Sequence, residues 1–427
     1  MTIATPHMAG VKGQPLRVLC IAGWWPDDEG LSGIFIKEHV LAIAGHCAVE
    51  VAFLEVRKSP WRWPAFSYAT TMESGVPVHR VLVKTPLRRS GSQDLLVRRA
   101  FLQLFRTLRA KERFDLLHIH VRTEVTEQVL ALAEKMGLPV VVTEHNSFYH
   151  LGIRSLPGNE QVRERRHIQQ WFASPTIAAV MPVSQDLADV LSNDFCVGPE
   201  RITVIPNVAH AAFIPGVRTV PPPFRIVLAA VWRPPKDHAV FIEAMAELPG
   251  ELRKACRVDW VGYGPDMELI QARCRNELQD IDIHFPGKLD KPALALLMQQ
   301  AHVFILPTKA DNLPCVVLES HCCGTPVISM AVNGLPEMVD GSNGILVPPN
   351  EPLALAEALV HCIRTPHQFD HHAIADKAHS KYSAEAVASA IIAVYAKVLT
   401  TWSEGLASAS GPAASIDSEQ TKRLGGS

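Results

Sequence analysis

Short apolar, β-branched runs recur along this chain and alternate with stretches of helical period. They read LRVLCIA (16–22), VEVAFLEV (49–56), DLLHIH (115–120), PVVVTEH (139–145) and AAVMPVS (178–184), then RIVLAAV (225–231), RVDWVGYG (257–264), HVFILPT (302–308), TPVISM (325–330) and GILVPP (344–349). Strands apolar on both faces and separated by helices predict parallel sheets covered by helices on each side. The proline cluster in GVRTVPPPF (216–224) divides the runs into two sets and makes a stiff, non-helical connector.

The pattern therefore predicts an α/β chain with two doubly wound parallel-sheet domains facing across a cleft. A tail spans 1–14, a first α/β domain 15–210, a proline-rich linker 211–223 and a second α/β domain 224–380. The stretch YSAEAVASAIIAVYAKVLTTW predicts a closing helix over 381–402, capped by Ser383 and packing back on the first domain. Residues 403–427 lack large apolar side chains and are expected to be disordered. In open parallel sheets ligands bind beyond the carboxyl ends of the strands, so the loops after strands should hold the chemistry.

Composition narrows the class. A length of 427 residues suits two domains, and a formal net charge of −2 exerts no general pull on nucleic acid. The nine cysteines form no C-x-x-C pair, and adjacent Cys322 and Cys323 read as small core residues. That usage fits a reducing cytoplasm. The first apolar run is too short for a signal segment, and a membrane-spanning helix is not expected.

The stretch DNLPCVVLES (311–320) carries two acids, Asp311 and Glu319, in an apolar setting. Pro314 predicts a loop through Leu313 and a helix beginning there, which puts Glu319 among Val316, Val317 and Leu318. A carboxylate in such company needs hydrogen-bond partners. The vicinal diol of a ribose would supply them. The free N–H groups at the helix start suit a phosphate. In WRPPKDH, Arg233 and Lys236 follow a strand and could neutralise a diphosphate without a metal; a solvated loop offers the same charges.

Other residues carry weaker signals. His145, in EHN at a strand end, reads as a structural hydrogen bonder or a site residue, and Gly33 at a loop-to-helix entry as a close-approach glycine or an ordinary turn. Gly262 and Gly264 do not complete a dinucleotide fingerprint. The acids of DID (280–282) read as the lead into a strand. His118 with His120, and His371 with His372, show no complete metal set.

Taken together, GIFIKEHVLAIAGH, TEHN, VSQDLADVL with ERITVIPNVAHAAF, the Arg233 and Lys236 loop, WVGYGPDMELI, FPGKL, DNLPCVVLESHCCGTPVIS and NGLPEMVDGSNGILVPP resemble the retaining glycosyltransferases of family four, which have the GT-B fold. The resemblance covers nearly the whole chain up to about residue 400 and rests most firmly on DNLPCVVLES, GTPVIS and GLPE.

It implies transfer of a sugar from a nucleoside-diphosphate donor to a saccharide or lipid-linked acceptor, in surface polysaccharide or lipid-linked glycan synthesis, without metal. It implies that Glu319 holds the donor ribose, that Asp311 contacts the donor sugar with Asn312, Leu313 and Cys315 of the same motif beside it, and that Arg233 and Lys236 bind the diphosphate. Gly33 matches the first-domain loop glycine near the phosphates, His145 the histidine that reaches the sugar, and Gly287, Lys288 and Leu289 the grip on the base.

The sequence departs from the family pattern in places. Asp311 stands for the usual Glu, Pro314 for a common glycine, and Asp237 follows Lys236 where glycine is usual. The basic loop is short, and NVAH (207–210) replaces Asn-Gly-Val-Asp. Competing readings are a sugar-nucleotide epimerase or hydrolase of the same fold, and an inactive nucleotide-sugar-binding subunit.

One further segment bears on location. Leu95, Leu96, Phe101, Leu104, Phe105 and Leu108 form an apolar stripe flanked by Arg98, Arg99, Arg106, Arg109, Lys111 and Arg113. Such a helix either lies on an anionic membrane surface, placing the protein on the cytoplasmic face, or packs into the core with a solvated basic side. PWRWP (60–64) reads equally as an interfacial anchor or a packed loop.

Overall fold

The computed structural model describes residues 15–26, 32–59, 65–86, 91–111, 114–216 and 222–409. In chain order the first lobe contains β1 (Arg17–Ala22), α1 (Ile34–Ile43), β2 (Ala48–Lys58), β3 (Ala65–Glu73), β4 (Val76–Thr85), α2 (Gly91–Lys111), β5 (Leu116–His120), α3 (Glu124–Met136), β6 (Val140–Glu144), α4 (Gly158–Phe172), β7 (Ile177–Pro182) and α5 (Gln185–Phe195). The second contains β8 (Phe224–Val231), α6 (His238–Glu247), α7 (Gly250–Lys254), β9 (Cys256–Tyr263), α8 (Met267–Glu277), β10 (Asp282–Gly287), α9 (Lys291–Gln300), β11 (Val303–Leu306), α10 (Cys315–Cys322), β12 (Val327–Met330), β13 (Gly344–Val347) and α11 (Pro352–Arg364). Two helices, α12 (His371–Tyr382) and α13 (Ala384–Ala409), close the chain.

The sheets run β3-β4-β2-β1-β5-β6-β7 and β10-β9-β8-β11-β12-β13. All pairings are parallel except β3 against β4. Strand order reverses beside the first strand of each sheet, which opens a crevice at the carboxyl ends there. β3 is absent from the apolar pattern because it is exposed along almost its whole length, so AFSYATTME carries no buried face, while β4 buries Val76, Val78, Val81 and Val83 without a continuous apolar run.

The structure bears on three expectations. The apolar stripe of α2 is core: Phe101, Leu104, Phe105 and Leu108 are buried, while Leu95 remains exposed. Four of the six stripe residues are thus already packed against protein, which removes the apolar surface a lipid-facing helix needs. The side chains of Arg109, Lys111 and Arg113, like the whole of PWRWP, lie outside the described residues.

The closing helix does not stop near 402. It continues through Ala409, and Trp402 Nε1 donates to the Gly137 carbonyl at 3.2 Å, pinning the helix near that end. The expected disorder of 403–427 therefore fails over 403–409, and the rest lies outside the described residues.

Finally, the helical stretch His371–Gly405 is long and apolar enough to cross a membrane by composition. Its apolar side is occupied, since Val387, Ala388, Ile391, Tyr395 and Val398 are buried in the first-lobe core with Val18, Ile36 and Val40. Tyr395 hydroxyl lies 2.6 Å from His118 Nδ1, fixing that helix to β5.

Candidate active site

A cavity of about 660 Å³ opens between the lobes, within the size range of small-molecule sites. Its walls come from the ends of strands and the loops after them. The first lobe contributes Ile34 and Phe35 at the start of α1, His145 and Ser147 after β6, and Val183 after β7. The second contributes Arg233 to Lys236 after β8, Gly262 and Tyr263 at the end of β9, Lys288 and Leu289 after β10, and Ala310 to Val316 with Glu319 at α10.

The acids sit as the sequence suggested, with one unforeseen partner. Pro314 is the N-cap of α10, and Glu319 is 1 % exposed inside it. Burial pushes the Glu319 carboxyl up, and the ammonium of Lys291 pulls it back. Lys291 Nζ bonds Glu319 Oε1, while Oε2 has no partner among the described residues. Lys291 escaped the sequence reading because it begins α9, 28 positions earlier, and only the packing of α9 beside α10 joins the two.

Asp311 accepts a 2.6 Å hydrogen bond from Lys236 Nζ. The basic loop is tied to the acidic one, since Asp237 N donates to the Pro307 carbonyl and Lys309 N to that of Pro235. Asp237, in the place of a common glycine, pairs with Lys309 at 3.2 Å. Arg233 lines the same cavity with an exposed side chain. Cys315 and Val316, whose N–H groups begin α10, line the same cavity, so the arrangement suits a polyanion beside a buried diol acceptor.

Backbone conformation explains the glycines. Gly33 has φ +78° and is buried, and a Cβ there would lie 2.7 Å from the Trp24 carbonyl carbon. It does not itself line the cavity but lets α1 present Ile34 and Phe35 to it. Gly287 has φ +73° at the end of β10 and turns the chain into Lys288 and Leu289. Desolvation pushes the half-buried Cys315 thiol up to about 12, so it stays protonated.

His145 lines the cavity. Its Nδ1 donates to Asn207 Oδ1 at 3.0 Å, and its Nε2 has no partner among the described residues and lies near other histidines. Burial holds its pKa well below the ordinary value, so the ring is neutral. What reaches across the lobes is its backbone: the His145 carbonyl accepts from Asn312 Nδ2 at 3.0 Å.

Two residues of the lobe interface were not read from the sequence. Asn207 Nδ2 donates to the Leu313 carbonyl at 2.8 Å, so this residue of NVAH links His145 to the acidic loop. Glu337 of GLPE accepts from the backbone of Gln185 and Asp186, both at 2.7 Å, at the N-terminus of α5. A carboxylate there is favoured by the helix macrodipole. The acids of DID stay outside the cavity, with Asp280 on Arg253 and Asp282 on His284.

Gly334 supports the acidic loop by its smallness, as a Cβ there would lie 1.7 Å from the Asn312 carbonyl oxygen. Gly334→Ala is expected to cost roughly 1–3 kcal/mol of stability and to weaken ligand binding in the cavity by displacing Asn312 and Leu313. Thermal melting and ligand titration read the two effects separately.

Comparison with known proteins follows this division into lobes. The family profile described as glycosyltransferase family 4 matches residues 46–212, and that described as glycosyl transferases group 1 matches 223–365. A D-inositol 3-phosphate glycosyltransferase of Pseudarthrobacter chlorophenolicus is 26 % identical over 345 residues, covering 75 % of this chain and 79 % of the relative. One of Catenulispora acidiphila is 29 % identical over 307 residues, covering 65 % and 70 %. Among solved structures, sucrose-phosphate synthase of Thermosynechococcus elongatus superposes with a TM-score of 0.71 at 18 % identity, covering 90 % of this chain and all of its own. Anabaena HepE in complex with UDP gives 0.66 at 15 % identity, again over 90 % of this chain.

Proposed function

The chain belongs to the family 4 glycosyltransferases of the GT-B fold, and from that premise we propose that it moves a sugar from a nucleoside-diphosphate donor to an acceptor hydroxyl with retention at the anomeric carbon. The observation that carries the proposal is the buried Glu319 carboxylate, with one oxygen unpartnered among the described residues, lining the same cavity as the Lys236 and Asp311 pair. A ribose diol answers the first and a diphosphate answers the second.

In this reading Glu319 Oε2 accepts from a ribose hydroxyl, with Lys291 keeping the carboxylate ionised against burial. Lys236, Arg233 and the start of α10 stabilise the negative charge that grows on the departing diphosphate. That charge is met by fixed protein cations, so no metal is needed at the diphosphate. Asp311, held by Lys236, faces the donor sugar with Asn312, and Leu289 with Lys288 flanks the base. The acceptor attacks from the leaving-group face and its proton passes to the diphosphate, so no side chain serves as general base.

His145 acts here as a positioning residue, through its carbonyl on Asn312 and its ring on Asn207. The lobes' mutual hydrogen bonds would exclude water and limit hydrolysis. The acceptor is a saccharide, a lipid-linked saccharide or a phosphorylated polyol of the kind named for the inositol 3-phosphate relatives, and the product enters surface polysaccharide or lipid-linked glycan synthesis in the cytoplasm.

The test is incubation of the full chain with a panel of UDP- and GDP-sugars, with and without these acceptors. NMR then reads the anomeric configuration of the product. Acceptor-dependent donor loss with retained configuration is expected. Donor loss that is indifferent to acceptor, an epimerised donor, or an inverted product would overturn the proposal.

A further inference from the structure

Behind the cavity wall, four histidines gather in the first lobe: His39 on α1, His118 and His120 on β5, and His145 after β6. His118 is committed, with Nε2 2.7 Å from Thr143 Oγ1 and Nδ1 2.6 Å from the Tyr395 hydroxyl. Among the described residues the other three leave nitrogens with no hydrogen-bond partner: Nδ1 of His39, Nε2 of His145 and both nitrogens of His120. His39 and His120 are fully buried.

Their tautomers are set from outside the cluster. His39 Nε2 lies 3.0 Å from the Pro206 carbonyl and must donate to it, so Nδ1 carries the lone pair. His145 Nδ1 donates to Asn207 Oδ1, so Nε2 carries the lone pair. One ring nitrogen from each of His39, His120 and His145 lies within 4.8 Å of the other two. Two lone pairs are thus fixed from outside, and His120, with neither nitrogen committed among the described residues, can offer a third. Outer hydrogen bonds that fix a tautomer and aim the opposite nitrogen inward are the usual support of a metal-ligating histidine.

We infer that His39, His120 and His145 form a three-nitrogen site for a divalent first-row transition ion, with Zn²⁺ as its test ligand. Imidazole-only donor sets suit zinc and its neighbours, with a water completing the tetrahedron. Bonds of about 2.0–2.1 Å would draw the three nitrogens to roughly 3.3 Å apart, a small inward turn of the rings. The ion would brace α1, β5 and the His145 loop into one wall of the cavity, without touching the transferred group. The overlapping set of Cys20, His118 and His120 is a weaker alternative, since His118 already bonds through both nitrogens.

The experiment uses the full chain without an affinity tag, stripped with chelator, equilibrated with Zn²⁺, desalted and assayed for metal content. Co²⁺ titration in parallel reads geometry through its visible bands. One retained equivalent and a tetrahedral Co²⁺ spectrum are expected. His39→Gln and His120→Gln should each weaken retention at least 100-fold, and Asn207→Leu, which frees the His145 tautomer, by about 10–100-fold. A His371→Gln/His372→Gln control should retain the ion.

Less than a tenth of an equivalent on folded wild-type protein, or retention equal in wild type and His39→Gln, would overturn the site. The wild-type stoichiometry and Co²⁺ spectrum stand even if a variant misfolds. Because metal content is read without a sugar donor, failure here is distinct from failure of the proposed transfer.

Discussion

Glu319→Gln is expected to lower kcat/KM for the donor by about 100-fold, the effect of losing a charge-assisted hydrogen bond worth roughly 1.5–3 kcal/mol. Most of the loss should appear as donor affinity, since the ribose is bound equally before and during transfer. The same change leaves the Lys291 ammonium facing an amide. Breaking a buried pair costs about 3–5 kcal/mol, and the Lys291 side chain is 21 % exposed, which brings the cost toward or below the lower end.

The two effects can be separated. The double variant Glu319→Gln/Lys291→Met removes both charges together, so it should regain much of the lost melting temperature. It should not regain donor affinity. Steady-state kinetics with the donor varied, alongside thermal melts of both variants, makes the comparison. A Glu319→Gln enzyme with wild-type kcat/KM would leave the ribose assignment without support.

Lys236→Ala is expected to reduce kcat by about 10²–10³-fold, the range for removing one preorganised stabiliser of a developing anion. Lys236 is held by Asp311 at 2.6 Å and braced by the antiparallel bridge to Thr308, so its charge needs no rearrangement when the diphosphate departs. Arg233→Ala should cost less, because the Arg233 side chain is solvent-exposed and its charge is screened. Single-turnover rates with saturating donor measure both. Equal losses at the two positions would show that the basic loop acts only through its net charge.

The two-sheet architecture was legible because its strands are apolar on both faces and its helices separate them. β3 was not, since an exposed edge strand has no buried residues to reveal it. Asp311, Glu319, Lys236 and Arg233 could be found because each lies within a short local pattern. Lys291, Asn207 and Glu337 could not, because each gains meaning from a partner far along the chain: Asn207 from Leu313, 106 positions away, and Glu337 from Gln185, 152 away. The sidedness of His145 was equally invisible, as its orientation depends on Asn207 and on the rings of His39 and His120. For α2, an amphipathic pattern fits a membrane surface and a protein core alike, and only packing decides.

The return of α13 to the first lobe reaches beyond the site. Val387, Ile391, Tyr395 and Val398 complete a core whose other members begin at Leu16. On the ribosome, the first lobe must therefore wait for residues 384–402 to emerge before its interior is sealed. A fragment ending at the interlobe linker would be left with an open groove along α1. Grafting residues 384–402 onto such a fragment is the minimal repair.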